Sequence, residues 1–233
     1  VWIVYSAHRQ GNFDLYARKL NAQGVLDAEV RLTTNTGADL TPAMTTDAHG
    51  NLWLAAQSWD DKGQAGIFVA RCVNGVWNPV TRIAGELGEN AWHPAIAASP
   101  SGAIAVAYDI YHHGNYDVRI ALFDANAKEP KHVVPIASTP KFEARPALVY
   151  DANGRLWISF EEGPEKWGKD YGALDIGNGN PLYNERSVRV VCLDGDGQLK
   201  RATAELATSV YAPPALPFEA GKTAMYEKAT RYS

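Results

Sequence analysis

The stretch "WHPAIAASPSGAIAVAYD", residues 92–109, occurs in variant form twice more. It returns as "LTPAMTTDAHGNLWLAAQ" at 40–57 and as "ARPALVYDANGRLWISFE" at 144–161. Pro42, Pro94 and Pro146 are each 52 residues apart, and so are Gly50, Gly102 and Gly154. Asp47, Ser99 and Asp151 keep the same interval. Three independent markers holding one period over three copies identify an internal repeat, which governs how every element is read.

Each copy parses alike. An apolar run follows the proline, then comes a turn ("DAHG", "SPSG", "DANG"), then a second run ("NLWLAAQ", "AIAVAYD", "RLWISFE"). These runs have the length and alternation of strands. The glycine closing each turn supplies the positive φ a tight connection needs. Third strands are expected at 14–20, 66–73, 116–124 and 187–194, and fourth strands at "EVRLT", "PVTRIA", "HVVPIA" and "LKRATAEL". No segment has helical periodicity. Four antiparallel strands in about 50 residues, repeated, predict an all-β chain folded as a β-propeller of four-stranded blades.

Blade boundaries fall near 1–40, 41–91, 92–144 and 145–212. The fourth blade carries a long inserted loop at 162–186, rich in glycine, asparagine and aromatic residues. Residues 213–233 read as the start of a fifth repeat or as a ring-closing strand, because "PPALPFEAGK" at 213–222 echoes "RPALVYDANGR" at 145–155. Val1-Trp2-Ile3 matches Leu52-Trp53-Leu54, so the chain enters on a second strand. It is therefore either a small closed ring or a fragment of a larger propeller, and the fragment is the preferred reading.

The 233 residues are 46% hydrophobic and 21% charged, enough to build a real core. A net charge of −4 offers no basic footprint for nucleic acid. No apolar run approaches the roughly 20 residues of a spanning helix. Cys72 and Cys192 lie in strand-like runs and read as buried free thiols. No nucleophile elbow, phosphate loop, HExxH or CxxC cluster appears, and "LDGDGQ" at 193–198 lacks the acidic positions of a calcium loop. No metal and no cofactor is expected.

Arg31-Leu32-Thr33, Pro42, Asp47 with Gly50, and Arg9, Gly11 and Asp14-Leu15-Tyr16 form a succession that resembles the TolB-type, WD40-like propeller repeat. Gly114 with Tyr116-Asp117-Val118 repeats its last element. More distantly the tryptophan-bearing repeats resemble sialidase-like propellers, although the aspartate box of that group is absent. The resemblance covers most of residues 1–160. It implies a propeller fold, a habit of binding glycans or proteins and a secreted or periplasmic location, and it implies no reaction.

Propeller topology separates scaffold from site. Trp2, Trp53 and Trp157 share one position, with Ala105 in the third copy, and Asp47 and Asp151 suit turn caps. The prolines are expected at the start of the inner strand, where a missing N–H costs least. The positions that differ between copies lie at both ends of the repeat. Thr41, His93 and Arg145 precede the prolines; Ser6, Gln57, Asp109 and Glu161 end the second strands. With the adjoining loops these nominate a binding site of His93, Asp109, Tyr111, His112, His113, Arg145, Glu161, Trp59, Trp167 and Tyr171. The expected ligand is a glycan or a protein, with the rest of a larger polypeptide or a second chain as a further partner. If the chain is instead a carbohydrate-active enzyme, a hydrolase or a lyase, Asp109, Glu161, His93 and His112 are its acid–base candidates, and Asp170 a further carboxylate. A third reading is a structural piece of a larger protein. Asp109 has a plain alternative as a bond to a neighbouring blade's backbone, and His112-His113 as a solvated hairpin tip.

Overall fold

The computed structural model describes residues 1–78, 81–85, 88–125, 127–167, 180 and 186–193, with the backbone of 199–201. The described residues contain strands and no helix. Strands β1 (Trp2–Arg9), β2 (Asn12–Lys19) and β3 (Val30–Arg31) form a three-stranded sheet. The second sheet holds β4 (Asp39–Thr46), β5 (Leu52–Trp59), β6 (Ala65–Val73), β7 (Val76–Trp77) and β8 (Thr81–Ala84), the last two both pairing with β6. The third is a meander of β9 (Asn90–Ala98), β10 (Ile104–His112), β11 (Asn115–Phe123) and β12 (His132–Ala137). The fourth runs through β13 (Lys141–Tyr150), β14 (Leu156–Glu165), β15 (Ser187–Leu193) and β16 (Leu199–Arg201). All pairings between these strands are antiparallel, and β4, β9 and β13 pack side by side as the inner strands.

The sheets stack face to face as successive blades of a β-propeller, and one apolar cluster fills each junction. Leu15 meets Leu54, Ala56, Phe68 and Ala70 between the first two sheets. Trp53, Ile67 and Val69 meet Ile104, Val106, Tyr108 and Phe123 between the second and third. Ala105, Ala107, Val118 and Ile120 meet Leu156, Ile158, Phe160 and Val191 between the third and fourth. Successive residues of β10 therefore serve opposite junctions, which is why "IAVAY" at 104–108 is buried on both sides without a polar face. Cys72 and Cys192 are buried free thiols.

The turns after the inner strands are built as expected and then extended. Asp47 Oδ1 accepts the N–H groups of His49 and Asn51 at 2.9 Å each, and Asp151 Oδ1 those of Asn153 and Arg155. The indole N–H of Trp53 donates to Asp47 Oδ2 at 3.0 Å, and that of Trp157 to Asp151 Oδ2 at 3.1 Å. Arg71 and Arg155 bind these same carboxylates and lie over the two indoles. Burial opposes ionisation of Asp47, but its bonds from Asn51, Trp53 and the backbone outweigh it and hold the carboxyl at about 2. The third blade has Ser99 and Ala105 in place of this acid–indole pair, so both partners are exchanged together.

Two expectations need correction. The prolines do not begin the inner strands: each lies inside one, at a bulge where two residues face one partner. At the bulge the ladder is already interrupted, so the absent N–H costs no pairing. The residue ahead of each proline takes a positive φ, 51° at Thr41, 49° at His93 and 53° at Arg145. The inserted loop also starts later than position 162. Strand β14 continues to Glu165, because Glu162, Gly163 and Glu165 pair with Glu143, Phe142 and Lys141. The fifth-repeat residues 213–233 lie outside the described residues.

Candidate functional site

The mouth of the channel at the bulges gathers the variable ends of the repeat. In the third blade His93 Nδ1 lies 2.9 Å from Asp109 Oδ2 and 3.2 Å from Oδ1. In the fourth, Arg145 Nη1 lies 3.3 Å from both carboxylate oxygens of Glu161. The residue before the proline thus pairs with the end of the neighbouring strand in both blades, and the αL bulge is what turns it there. Asp109 is fully buried and also accepts the backbone N–H of Arg145 at 2.8 Å, tying the third blade to the fourth. Its plain role as an inter-blade bond is therefore real, and the histidine contact is added to it. Ser6 makes a comparable tie, its hydroxyl donating to the Asp39 carbonyl of the next blade at 2.7 Å.

Beside this polar row stands a shelf of aromatic rings. Tyr116 is its centre, with centroids of Tyr111 at 4.8 Å, Trp167 at 5.3 Å, and Trp92 and Phe142 at 5.4 Å. Trp92 and Tyr111 approach to 5.9 Å, and Phe142 meets Trp167 edge-on at 4.0 Å. Burial, reinforced by the charge of Asp109 and opposed by Arg145, pushes the Tyr116 hydroxyl up to about 12. Arg186, only 5% exposed, lies 3.5 Å over Phe142 and 5.0 Å from Trp167, and its Nη1 approaches Glu161 at 3.4 Å. Such cation–ring stacking fixes a ring's pitch as well as adding energy. Trp167 is further placed by a bridge to Asn180, whose side chain donates to the Glu165 carbonyl at 2.6 Å.

The remaining acids here are engaged. Burial raises the affinity of Glu162 for its proton, but Arg189 and Lys141 outweigh that and hold it below the ordinary value. Glu143 is buried, and this raises its carboxyl against bonds from the hydroxyl and N–H of Thr139. Among the described residues no three of histidine, cysteine, aspartate and glutamate gather as a metal site.

Of the nominated residues, the structure brings together His93, Asp109, Arg145 and Glu161, and sets Tyr111 and Trp167 in the shelf. His112 and His113 are exposed at the β10–β11 turn, their rings 3.8 Å apart, as the hairpin-tip reading has it. Trp59 ends β5 on the second sheet, outside the ring contacts of the shelf. Tyr171 and Asp170 lie outside the described residues. Sequence reading passed over Trp92, Tyr116, Phe142 and Arg186. Trp92, next to His93, was the one with a signal: neither aligned copy has an aromatic residue there, only Leu40 and Ala144.

The opposite mouth differs. A cavity of about 380 Å³ there is lined by Thr46, Ala98 and Tyr150 with the turn residues Asp47, Ser99 and Asp151. Both of its carboxylates are already saturated by indole, arginine and backbone donors.

No family model matches this sequence, and no curated protein matches it either. Solved structures do share its fold. A Dyadobacter fermentans protein of unknown function is similar at a TM-score of 0.55 and 15% identity, over 70% of this chain and 46% of its own. The Hadza microbial sialidase Hz136 is similar at 0.51 and 12%, over 80% and 44%. Penicillium chrysogenum α-L-arabinanase, solved with arabinobiose, is similar at 0.52 and 11%, over 86% and 71%. The chain spans less than half the length of the first two.

Proposed function

We propose that this chain is a β-propeller module that binds a glycan at the bulged mouth of its channel. The observation carrying this reading is one rim that sets four half-buried aromatic rings, packed against buried Phe142, beside hydrogen-bonding groups fixed in place by their own partners. Sugar rings present C–H faces that lie flat on aromatic rings, and hydroxyls that need donors and acceptors at set positions. The names of the sialidase and the arabinanase agree with such a ligand. The polar row is held before any ligand arrives, so little ordering remains to be done on binding. On the residues Arg31-Leu32-Thr33, Pro42 and Asp14-Leu15-Tyr16 we also place the repeat with the TolB type.

Glycan-array screening followed by calorimetry tests this. At least one oligosaccharide is expected to bind, with Tyr111→Ala and Trp167→Ala each weakening it about tenfold, the equivalent of about 1.4 kcal/mol. An empty array, or binding unchanged in both variants, overturns the reading.

A further inference from the structure

We propose that His93 and Asp109 are an acid–base dyad and that the site hydrolyses an acyl ester carried on its glycan. The substrate class rests on the glycan reading above; the dyad does not. Asp109 has no exposed surface, yet it is held from two blades, by His93 Nδ1 and by the Arg145 N–H. A carboxylate only accepts, so neutral His93 carries its proton on Nδ1 and its lone pair on Nε2. The His93 side chain is 47% exposed, and with Nδ1 turned to the buried acid the exposed edge is the one bearing Nε2. The φ of 49° at His93 is the bulge geometry it shares with Thr41 and Arg145, and it turns the imidazole toward Asp109. The equivalent pairs, Thr41 with Gln57 and Arg145 with Glu161, contain no imidazole, so this chemistry belongs to one blade. It is the blade whose Trp92 and Tyr111 supply the shelf.

The reaction class follows from what the rim holds. Glycosidic cleavage uses two carboxyl groups flanking the bond, one of them a proton donor. Among the described residues Asp109 faces His93, Glu161 is bound by Arg145 and Arg186, Glu162 by Arg189 and Lys141, and Glu143 by the hydroxyl and N–H of Thr139, so each of these carboxyls is already engaged. A single imidazole backed by a carboxylate instead suits acyl transfer, where one group takes the proton and later returns it. His93 Nε2 takes a proton from water as the water oxygen bonds to the ester carbonyl carbon, whose π pair moves onto its oxygen. That pair then re-forms the carbonyl, the bond to the sugar oxygen breaks with its electrons, and this oxygen receives the proton from Nε2. The products are a free acid and a glycan hydroxyl, with water the only co-reactant.

The full chain is tested with 4-nitrophenyl acetate and with diethyl pyrocarbonate. The wild type is expected to release 4-nitrophenolate above buffer. His93→Ala and Asp109→Asn should each lose about tenfold or more, and His132→Ala, exposed on the outer strand β12, nothing. In the unmodified protein diethyl pyrocarbonate should carbethoxylate His93 faster than His132, a readout that needs no variant to fold. Equal ester hydrolysis by wild type and His93→Ala, or His93 no faster than His132, overturns the dyad. Ester hydrolysis with an empty glycan array supports the dyad and overturns the glycan reading alone.

Discussion

Replacing Asp47 by alanine removes the acceptor at the centre of the second blade's turn. Its two oxygens take bonds from the His49 and Asn51 N–H groups, the Asn51 amide, the Trp53 indole and Arg71. The indole, on a side chain only 2% exposed, would be left without its acceptor. Leaving such a donor unpaired costs about 1–3 kcal/mol. Proton linkage gives an independent figure. The carboxyl is held from the ordinary 3.8 down to about 2. At about 1.4 kcal/mol per tenfold change in proton affinity, that is about 2 kcal/mol at neutral pH. The sign follows from the direction: a lowered folded value gives stability that is complete above 3.8 and is lost as pH falls toward about 2. Urea unfolding of wild type and Asp47→Ala at pH 7 and pH 2.5 is the assay. The gap between them should be about 2 kcal/mol at pH 7, equivalent to about 4–8 °C in Tm for a chain of this size, and should shrink by more than half at pH 2.5. A gap of the same size at both pH values would refute the reasoning.

Thr41→Gly should raise stability by about 1 kcal/mol in thermal unfolding, because a β-branched residue at φ 51° is strained and glycine is not; a lower Tm would count against the bulge geometry. Gly37→Ala should cost more than about 3 kcal/mol, since its Cβ would sit 1.7 Å from the Trp59 carbonyl oxygen. Gly24→Ala, with open space around it at φ 78°, should cost only about 1 kcal/mol, and similar losses in the two would contradict the close approach. Arg186→Ala removes the cation lying on Phe142 and Trp167. It should increase acrylamide quenching of tryptophan fluorescence and weaken glycan binding, and unchanged quenching would show that the stack does not hold the shelf.

Much of the scaffold was legible because a repeat prints its constraints several times. The 52-residue interval of proline, glycine and turn acid located the inner strands, and strand positions such as 66–73 and 187–194 agree with β6 and β15 to within about a residue. The bulge was not legible. Only glycine advertises a positive φ, and Thr41, His93 and Arg145 look like ordinary strand residues ahead of a proline. The acid–indole pair could have been read, since Asp47 with Trp53 and Asp151 with Trp157 vary together against Ser99 with Ala105. For the site, variation within the repeat singled out Thr41, His93 and Arg145 with Ser6, Gln57, Asp109 and Glu161; of these, His93 meets Asp109 and Arg145 meets Glu161, while the nominated His112 and His113 sit at the exposed β10–β11 turn. Tyr116 and Phe142 were hidden because an aromatic residue in a strand reads as core, and Arg186 because its rings come from distant strands.

The seven tryptophans make the glycan-binding claim directly measurable through the indole N–H signals of a nitrogen-labelled sample titrated with the best array ligand. Trp92 and Trp167 belong to the shelf, whereas Trp53 and Trp157 are locked onto Asp47 and Asp151 at the opposite mouth. Saturable shifts of the Trp92 and Trp167 indoles, with those of Trp53 and Trp157 unmoved, are the predicted result. Shifts confined to Trp53 and Trp157 would contradict it.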